Sequence, residues 1–442
     1  MTNVLTDNFK HQPYWWDAAP LEPIETTTTQ RDYDVAIVGS GFTGLVAALT
    51  LLRGGRSVVI FDKELAGYGA SRRNAGFLGR VLKKSFGDLM EDQGKPHALA
   101  VYTELNASLD FVFELTEREQ IECYAQRCGR FIAADSTAHY QELGAELQLL
   151  QEHVGLPYAM IPDARSAGEF TSPRWNRGAV VPDLGSIHPG LYHKGLLDRV
   201  LVAGGVVLDQ TLVTAPNREG QRHVLETSRG RFSAQDVIMA TNGYTTRDHG
   251  WHARRVVPFE GFMAATEPLD PSLLERVLPH GRTVLNSRTN IDFFRPAPDQ
   301  PRILFGGSTG SPLRNAEAIG TELHRTLVET LPELAGTLLS HVWSGHCAGT
   351  FDMMPHMGKA HGIWFGMGYN FAGVPMGSYF GKRIAEHILG TSSGPSVFEQ
   401  TAFRPIPLYD GRPWFMPLVM RYFDWKDDRK AASKPKQQEL TP

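Results

Sequence analysis

The chain has 442 residues, 42% of them hydrophobic and 21% charged, with a formal net charge of −4 and three cysteines. That length can bury a large core and predicts about two domains, while the slightly acidic balance gives no electrostatic reason to expect nucleic acid as a partner. Cys123, Cys128 and Cys347 are too few and too scattered for a disulfide framework or a metal site, the start lacks a signal-peptide pattern, and no run nears the roughly eighteen apolar residues of a membrane span, so a cytoplasmic, reduced protein is expected.

Tyr33-Asp34-Val35-Ala36-Ile37-Val38 reads as a buried parallel strand, followed by Gly39-Ser40-Gly41-Phe42-Thr43-Gly44 and an apolar helical stretch from Leu45 to Leu52. A second strand, Ser57 to Phe61, ends on Asp62. This is the grammar of a dinucleotide site. Gly39 permits the tight turn, Gly41 lets a pyrophosphate approach, and Gly44 lets the helix pack on the strand. The helix start offers free N–H groups and a positive dipole to the phosphates. Asp62 stands about twenty residues past the motif, where a carboxylate accepts ribose hydroxyls. A carboxylate there repels a 2′-phosphate, so NAD or FAD is expected rather than NADP. The next loop, Gly67 to Gly79, joins small residues to Ser71, Arg72, Arg73 and Asn74. It suits an extended dinucleotide better than the next strand of a nicotinamide dehydrogenase would, although composition alone also allows a basic surface loop.

A mostly helical stretch is predicted from about Phe86 to Gln151, with Leu99, Tyr102, Leu105, Leu109 and Phe113 on one face. Nucleotide-fold grammar returns at Asp198 to Asp209 and in the strand Val237 to Thr241. Residues 255–266 and 291–307 alternate like strands of an antiparallel sheet. A last strand, Gly362 to Gly366, precedes a helix from Val374 to Leu389. The expected fold is α/β with an α+β substrate domain: a Rossmann-like FAD-binding domain (31–85, 152–254 and 341–395) interleaved with an antiparallel-sheet substrate domain (86–151 and 255–340). An N-terminal arm (1–30) and a C-terminal tail (396–442) flank them. In the tail, Trp414 to Phe423 reads as a helix packed on its own protein rather than a membrane or partner dock, being too short to span and weakly basic. From Ala432 onward the composition is that of disorder.

The motifs GSGFTG, FDKE and GASRRNAGFLG together resemble the amino-terminal signature of the D-amino-acid-oxidase superfamily of FAD-dependent amine and amino-acid oxidases. Within it the likeness is greatest to the gamma-glutamylputrescine oxidase branch. Later segments fall in the right order: Asp236 to Thr245, Val256-Val257-Pro258, Thr266 to Leu269, Phe294-Arg295-Pro296, Leu304 to Gly307 and Gly366 to Gly377. The resemblance implies FAD as cofactor, a small amine as substrate and oxygen as electron acceptor. It places Gly39, Gly41, Phe42, Thr43, Gly44, Asp62, Lys63, Ser71, Arg72, Arg73, Asn74, Ala75, Gly76 and Phe77 at the cofactor. From the later segments it adds Val213, Ala240, Thr241, Gly243, Gly368, Tyr369, Gly373, Val374, Pro375 and Met376, the last few with their helix start aimed at the flavin. No metal is implied. Glu260, Phe293, Arg295 and Tyr369 are the expected catalytic residues, with Phe259, Phe262, Asp292, Asn370 and Phe371 as further pocket candidates.

Two departures from the family pattern bear on chemistry. Relatives of sarcosine oxidase bind FAD through a cysteine shortly before a Thr-x-Asp segment, and counting back from Thr350 that position is Gly345. Non-covalent FAD is therefore expected, with Cys347 as the alternative covalent site. Some oxidases of the family carry a lysine just before the segment matching Gly306-Gly307, where this chain has Leu304. Competing readings are a same-fold dehydrogenase with a quinone or protein acceptor, a flavin monooxygenase, and a non-catalytic nucleotide-binding subunit.

Overall fold

The computed structural model describes residues 4–80 and 82–432. One sheet is built on the nucleotide unit. Its central strand, Asp32–Val38, lies between Val58–Phe61 and Gly230–Met239, with Val206–Leu208 beyond the former and Ile363–Met367 beside the end of the latter. These pairings are parallel, and Val38, Phe61, Met239 and Phe365 end in register. Their carboxyl ends therefore share one edge, the place where ligands bind in doubly wound sheets. The strand ends nearest that edge are apolar because both faces are covered there: Val35, Ala36 and Ile37 have no exposed surface.

The second sheet has nine strands, in the order Leu5–Lys10, Leu339–Gly349, Val257–Thr266, Ile303–Gly307, Phe293–Pro296, Thr283–Asn286, Arg130–Ala133, Gly178–Val181 and Ala159–Ile161. It is largely antiparallel; Leu5–Lys10 on Leu339–Gly349 and Thr283–Asn286 on Arg130–Ala133 are the parallel pairs. The α/β class expected from sequence is the fold found. The boundaries drawn at 152 and 341 differ from the sheet assignments, because Ala159–Ile161, Gly178–Val181 and Leu339–Gly349 belong to the nine-stranded sheet. The first two are four residues long or fewer, too short for alternation to reveal their partners. The N-terminal arm contributes an edge strand. The helix Lys95–Arg118, placed by sequence in the substrate domain, packs Val101, Leu105 and Leu109 in one core with Leu45, Ala48 and Ile384 of the nucleotide unit.

Two helices cross closely behind the nucleotide strands, Phe42–Arg53 and Gly373–Leu389. Glycine makes this possible: a Cβ on Gly381 would lie 2.4 Å from the Thr43 carbonyl oxygen. The tail forms a helix, Met416–Ala432, fastened to the loop at Arg288–Asn290 by Asp427, which accepts the Thr289 N–H at 2.7 Å. Residues 433–442, where the composition predicts disorder, lie outside the described residues. Among the described residues no helix is long and apolar enough to cross a membrane.

Candidate active site

A cavity lies between the two sheets. It is lined continuously from Asp62, Lys63 and Val213, past Gly39 to Thr43 and Ala240-Thr241, to Phe262, Phe293 and Phe371.

The first wall is the nucleotide turn. Gly39 has φ +107°, and a Cβ there would sit 2.7 Å from the Ala240 carbonyl oxygen. Gly44 does not line the cavity; its missing Cβ would lie 2.0 Å from the Gly39 oxygen, so its role is helix-on-strand contact. The helix opening at Phe42 has no side chain at its own cap, and of its first N–H groups only that of Phe42 is taken by a side chain, Ser71 Oγ at 3.0 Å. By contrast, four helices are capped by Ser85, Ser136, His188 and Asn315, and Lys95–Arg118 carries Pro96 in its first turn. Uncapped N–H groups facing a cavity form an anion cradle.

Asp62 takes the Ser40 N–H at 2.9 Å and hydroxyl at 2.6 Å on one oxygen, and the Glu64 N–H at 3.1 Å on the other. Burial raises its pKa while the Ser40 bonds lower it. The unused lone pairs of both oxygens border the cavity and can accept ribose hydroxyls. Behind the turn, the Arg72 Nε–H donates to His193 Nδ1 at 2.9 Å, which leaves Nε2 protonated and donating to the Ser40 carbonyl at 2.7 Å. Burial and the adjacent guanidinium hold His193 neutral, well below its ordinary pKa. Arg72, expected at the cofactor, is thus withdrawn from the cavity; its remaining donors hold the Ala19 and Pro20 carbonyls of the N-terminal arm.

The second wall comes from the far end of the sequence. The Tyr369 hydroxyl lies 2.6 Å from Thr43 Oγ1 and donates to the Gly366 carbonyl at 2.8 Å, which closes the two walls on one another. Asn370 (φ +45°) and Phe371 (φ +78°) are consecutive non-glycine residues in the left-handed region. The Asn370 amide holds this turn by donating to the Gly368 carbonyl at 2.6 Å and to Thr350 Oγ1 at 3.2 Å. Such strain persists only where surrounding bonds over-determine the backbone. The helix Gly373–Leu389 opens onto the cavity with Ala372 at its cap and no capping side chain. Gly373, Val374 and Pro375 line the cavity. Met376, Gly368 and Gly243 do not: Met376 is core, a Gly368 Cβ would meet Thr350 Cγ2 at 2.2 Å, and a Gly243 Cβ would meet the Cys347 carbonyl oxygen at 2.6 Å.

The remaining side is apolar, formed by Phe262, Met263, Leu285, Ile291, Phe293 and Phe371. Of the expected catalytic residues, Phe293 and Tyr369 line the cavity and two do not. Glu260 does not line the cavity; it accepts the Ser344 hydroxyl of the neighbouring strand at 2.6 Å. Arg295 is 1% exposed and donates to the carbonyls of Ala75 at 3.0 Å, Gly76 at 3.2 Å and Ile187 at 2.8 Å through one nitrogen, and to Pro296 at 3.1 Å through another. It buttresses the loop Ala75-Gly76 on the cavity's edge from behind. Gly76 is likewise behind the wall, with φ +68° and room for no side chain against the Ile187 oxygen. Phe259 backs Phe371 at 5.4 Å between ring centroids. Asp292, whose pKa burial raises to about 6, accepts from Asn286 rather than lining the cavity.

Sequence reasoning did not single out Tyr244, within the segment Asp236 to Thr245, or Leu285, Ile291, Thr309 and His346, all of which line the cavity. It also missed Lys83, whose ammonium donates to the Thr289 carbonyl at 2.8 Å and lies 4.6 Å from the centre of the Phe371 ring. Burial lowers its pKa to about 8. Cys347 lines the cavity as a free thiol, pushed up to about 11 by burial.

Residues 34–387 match the family model of the FAD-dependent oxidoreductases, DAO. The chain belongs to this family. This oxidoreductase is 27% identical over 411 residues to the gamma-glutamylputrescine oxidoreductase of Escherichia coli, covering 92% of this chain and 95% of that one. It is 26% identical over 427 residues to the probable oxidoreductase OrdL of Haemophilus influenzae, covering 92% and 95%. Its fold is shared with the crystal structure of glycine oxidase from Geobacillus kaustophilus, with a TM-score of 0.72 at 20% identity over 86% of this chain and 99% of that one. Two uncapped helix starts, a carboxylate at a strand end and an apolar far side fit an FAD laid across the cavity. Asp62→Ala is expected to weaken FAD binding about tenfold or more, the worth of a charge-assisted hydrogen bond. Titration of the apoprotein with FAD checks this, and unchanged affinity would contradict the ribose placement.

Proposed function

We propose that this flavoenzyme oxidises a small primary or secondary amine or amino acid to an imine, which water then hydrolyses to an aldehyde or keto acid. The observation that carries the reading is the apolar, aromatic side of the cavity facing the flavin wall: Phe262, Met263, Leu285, Ile291, Phe293 and Phe371, with Thr309 as a polar exception. Bound FAD supplies a hydride acceptor. The chain supplies position and dryness, which for C–H alignment provide much of the rate. Its aromatic rings exclude water and hold an alkyl chain, and no acid–base pair is needed because a neutral amine already carries the lone pair that becomes the C=N bond. Support for the substrate class comes from the relatives, one named for gamma-glutamylputrescine and one for glycine.

The bound amine must lose its proton before hydride leaves. The rate of flavin reduction is therefore expected to rise with pH through a pKa below that of the free amine, since a low-dielectric cavity disfavours the ammonium. Anaerobic stopped-flow reduction with substrate deuterated at the α-carbon tests this. A rate with no isotope effect under conditions where chemistry limits, or a product that keeps nitrogen and gains oxygen, would overturn it in favour of a monooxygenase. Non-covalent FAD and oxygen as acceptor belong to the same reading: acid should release the flavin into the supernatant, and reduced enzyme should reoxidise in air. Slow reoxidation would favour the dehydrogenase alternative.

A further inference from the structure

The exposed apolar side chains of this protein are not evenly spread. Of twelve exposed large hydrophobics among the described residues, six fall between Ile406 and Trp425. Trp414 is 77% exposed, Leu418 62%, Tyr422 55% and Trp425 51%. Leu418, Tyr422 and Trp425 follow the i, i+4, i+7 spacing of one helical stripe in Met416–Ala432, and Trp414 precedes it by one turn.

Rotation about the helix axis also sorts the charges. The face turned to the protein carries Met420, which abuts Gly310, and Asp424 and Asp427, which accept from Asn290 and Thr289. Asp428, at the edge, pairs with Arg288 at 2.8 Å. All three acids of the helix are thus engaged by the body of the enzyme. Three of its cations are not. Arg421, Lys426 and Arg429 are exposed, flank or join the aromatic stripe, and take part in no ion pair among the described residues. Arg429 lies over the Trp425 ring at 4.8 Å.

We infer that the carboxy-terminal helix docks this enzyme peripherally on an anionic lipid surface, through Trp414, Leu418, Tyr422 and Trp425 with Arg421, Lys426 and Arg429 around them. Tryptophan and tyrosine prefer the headgroup region of a bilayer, where the ring is buried and its polar edge stays wet, and surrounding cations add attraction to anionic lipids. The charges argue against a second copy as the occupant. A two-fold contact would set this cationic face against itself. Docking here also has a route to the site, whatever the amine substrate. The inner face grips Arg288–Asn290, and the neighbours of that loop, Leu285 and Ile291, line the cavity.

The test uses flavin-loaded, full-length protein sedimented with vesicles of phosphatidylcholine alone, or with about one part in four of phosphatidylglycerol. Binding to the anionic vesicles at low salt is expected, falling steeply at about 0.5 M salt as the headgroup attraction is screened. Removing two cations with Arg421→Gln and Lys426→Gln should lower partitioning about tenfold or more, and Leu418→Asp with Trp425→Asp should abolish it. Both variants alter only exposed side chains, so an unchanged flavin spectrum and melting temperature show that each is folded. Variants that bind as wild type does, or wild type that binds neither vesicle, would overturn the inference. So would a wild-type dimer that Leu418→Asp with Trp425→Asp converts to monomer without any lipid binding.

Discussion

Arg295→Met is expected to destabilise the folded protein by about 2–4 kcal/mol while sparing the affinity of any correctly folded fraction for substrate. The guanidinium serves four backbone carbonyls, those of Ala75, Gly76, Ile187 and Pro296, in a place where water cannot replace it. Methionine follows much of the same volume and removes a costly buried charge, which is why the loss stays below the sum of the bonds. It still leaves acceptors stranded, at about 1–3 kcal/mol for each that finds no other donor. Burial lowers the Arg295 pKa only to about 10, so it is charged at neutral pH. Arg295→Lys should recover little, because one ammonium cannot reproduce a fork of donors. Denaturant melts of both variants check the stability, and steady-state kinetics at low temperature check the site. A substrate-binding arginine would give the opposite pattern: normal melting and a large rise in KM.

Gly44→Ala should be as severe and strike the cofactor first. The added methyl would stand 2.0 Å from the carbonyl oxygen of Gly39 and 3.2 Å from Ile37 Cγ2. The first contact is backbone against backbone, so no side chain can turn aside, and the helix must move off its strand. Overpacking of this kind costs about 1–3 kcal/mol where the surroundings yield, and more where they do not. The displaced helix start would no longer face the phosphates, so colourless protein is expected on purification. Gly336→Ala is the control, with nothing within 4 Å of the new methyl and an ordinary φ. Equal flavin content in the two variants would contradict the close packing described.

The comparison of sequence with structure turns on distance along the chain. The first wall was legible because its strand, turn, helix and acid occupy some thirty consecutive residues, and each glycine has a local steric reason. The second wall was readable as a strand, a loop and a helix, but its junction to the first through Tyr369 and Thr43 has no signature in either segment. Arg72 and Arg295 misled for a common reason. An arginine near a phosphate motif or on a pocket strand reads as a ligand-binding cation, whereas here both are buried and hold backbone carbonyls that only the tertiary fold brings together. Glu260 is taken up by Ser344 of the strand Leu339–Gly349, a partner 84 residues away that no local pattern names. Thr309 reaches the cavity, and Lys83 comes against Phe371, from loops whose composition carries no periodic signal. In the tail, acids and bases interleave along the sequence and look neutral; only winding the helix separates them.

The bond between Tyr369 and Thr43 joins residues 326 positions apart. During synthesis the phosphate cradle thus emerges long before the segment that faces it, and a chain ending short of Tyr369 would hold half a cofactor site. Contacts so remote in sequence form late, after the entropy of closing the intervening loop has been overcome. FAD, if it bridges both segments as proposed, would then favour the closed chain over every open one by mass action. Flavin supply during expression should consequently govern how much of this protein escapes proteolysis, with the carboxy-terminal third the first part lost when the cofactor is scarce.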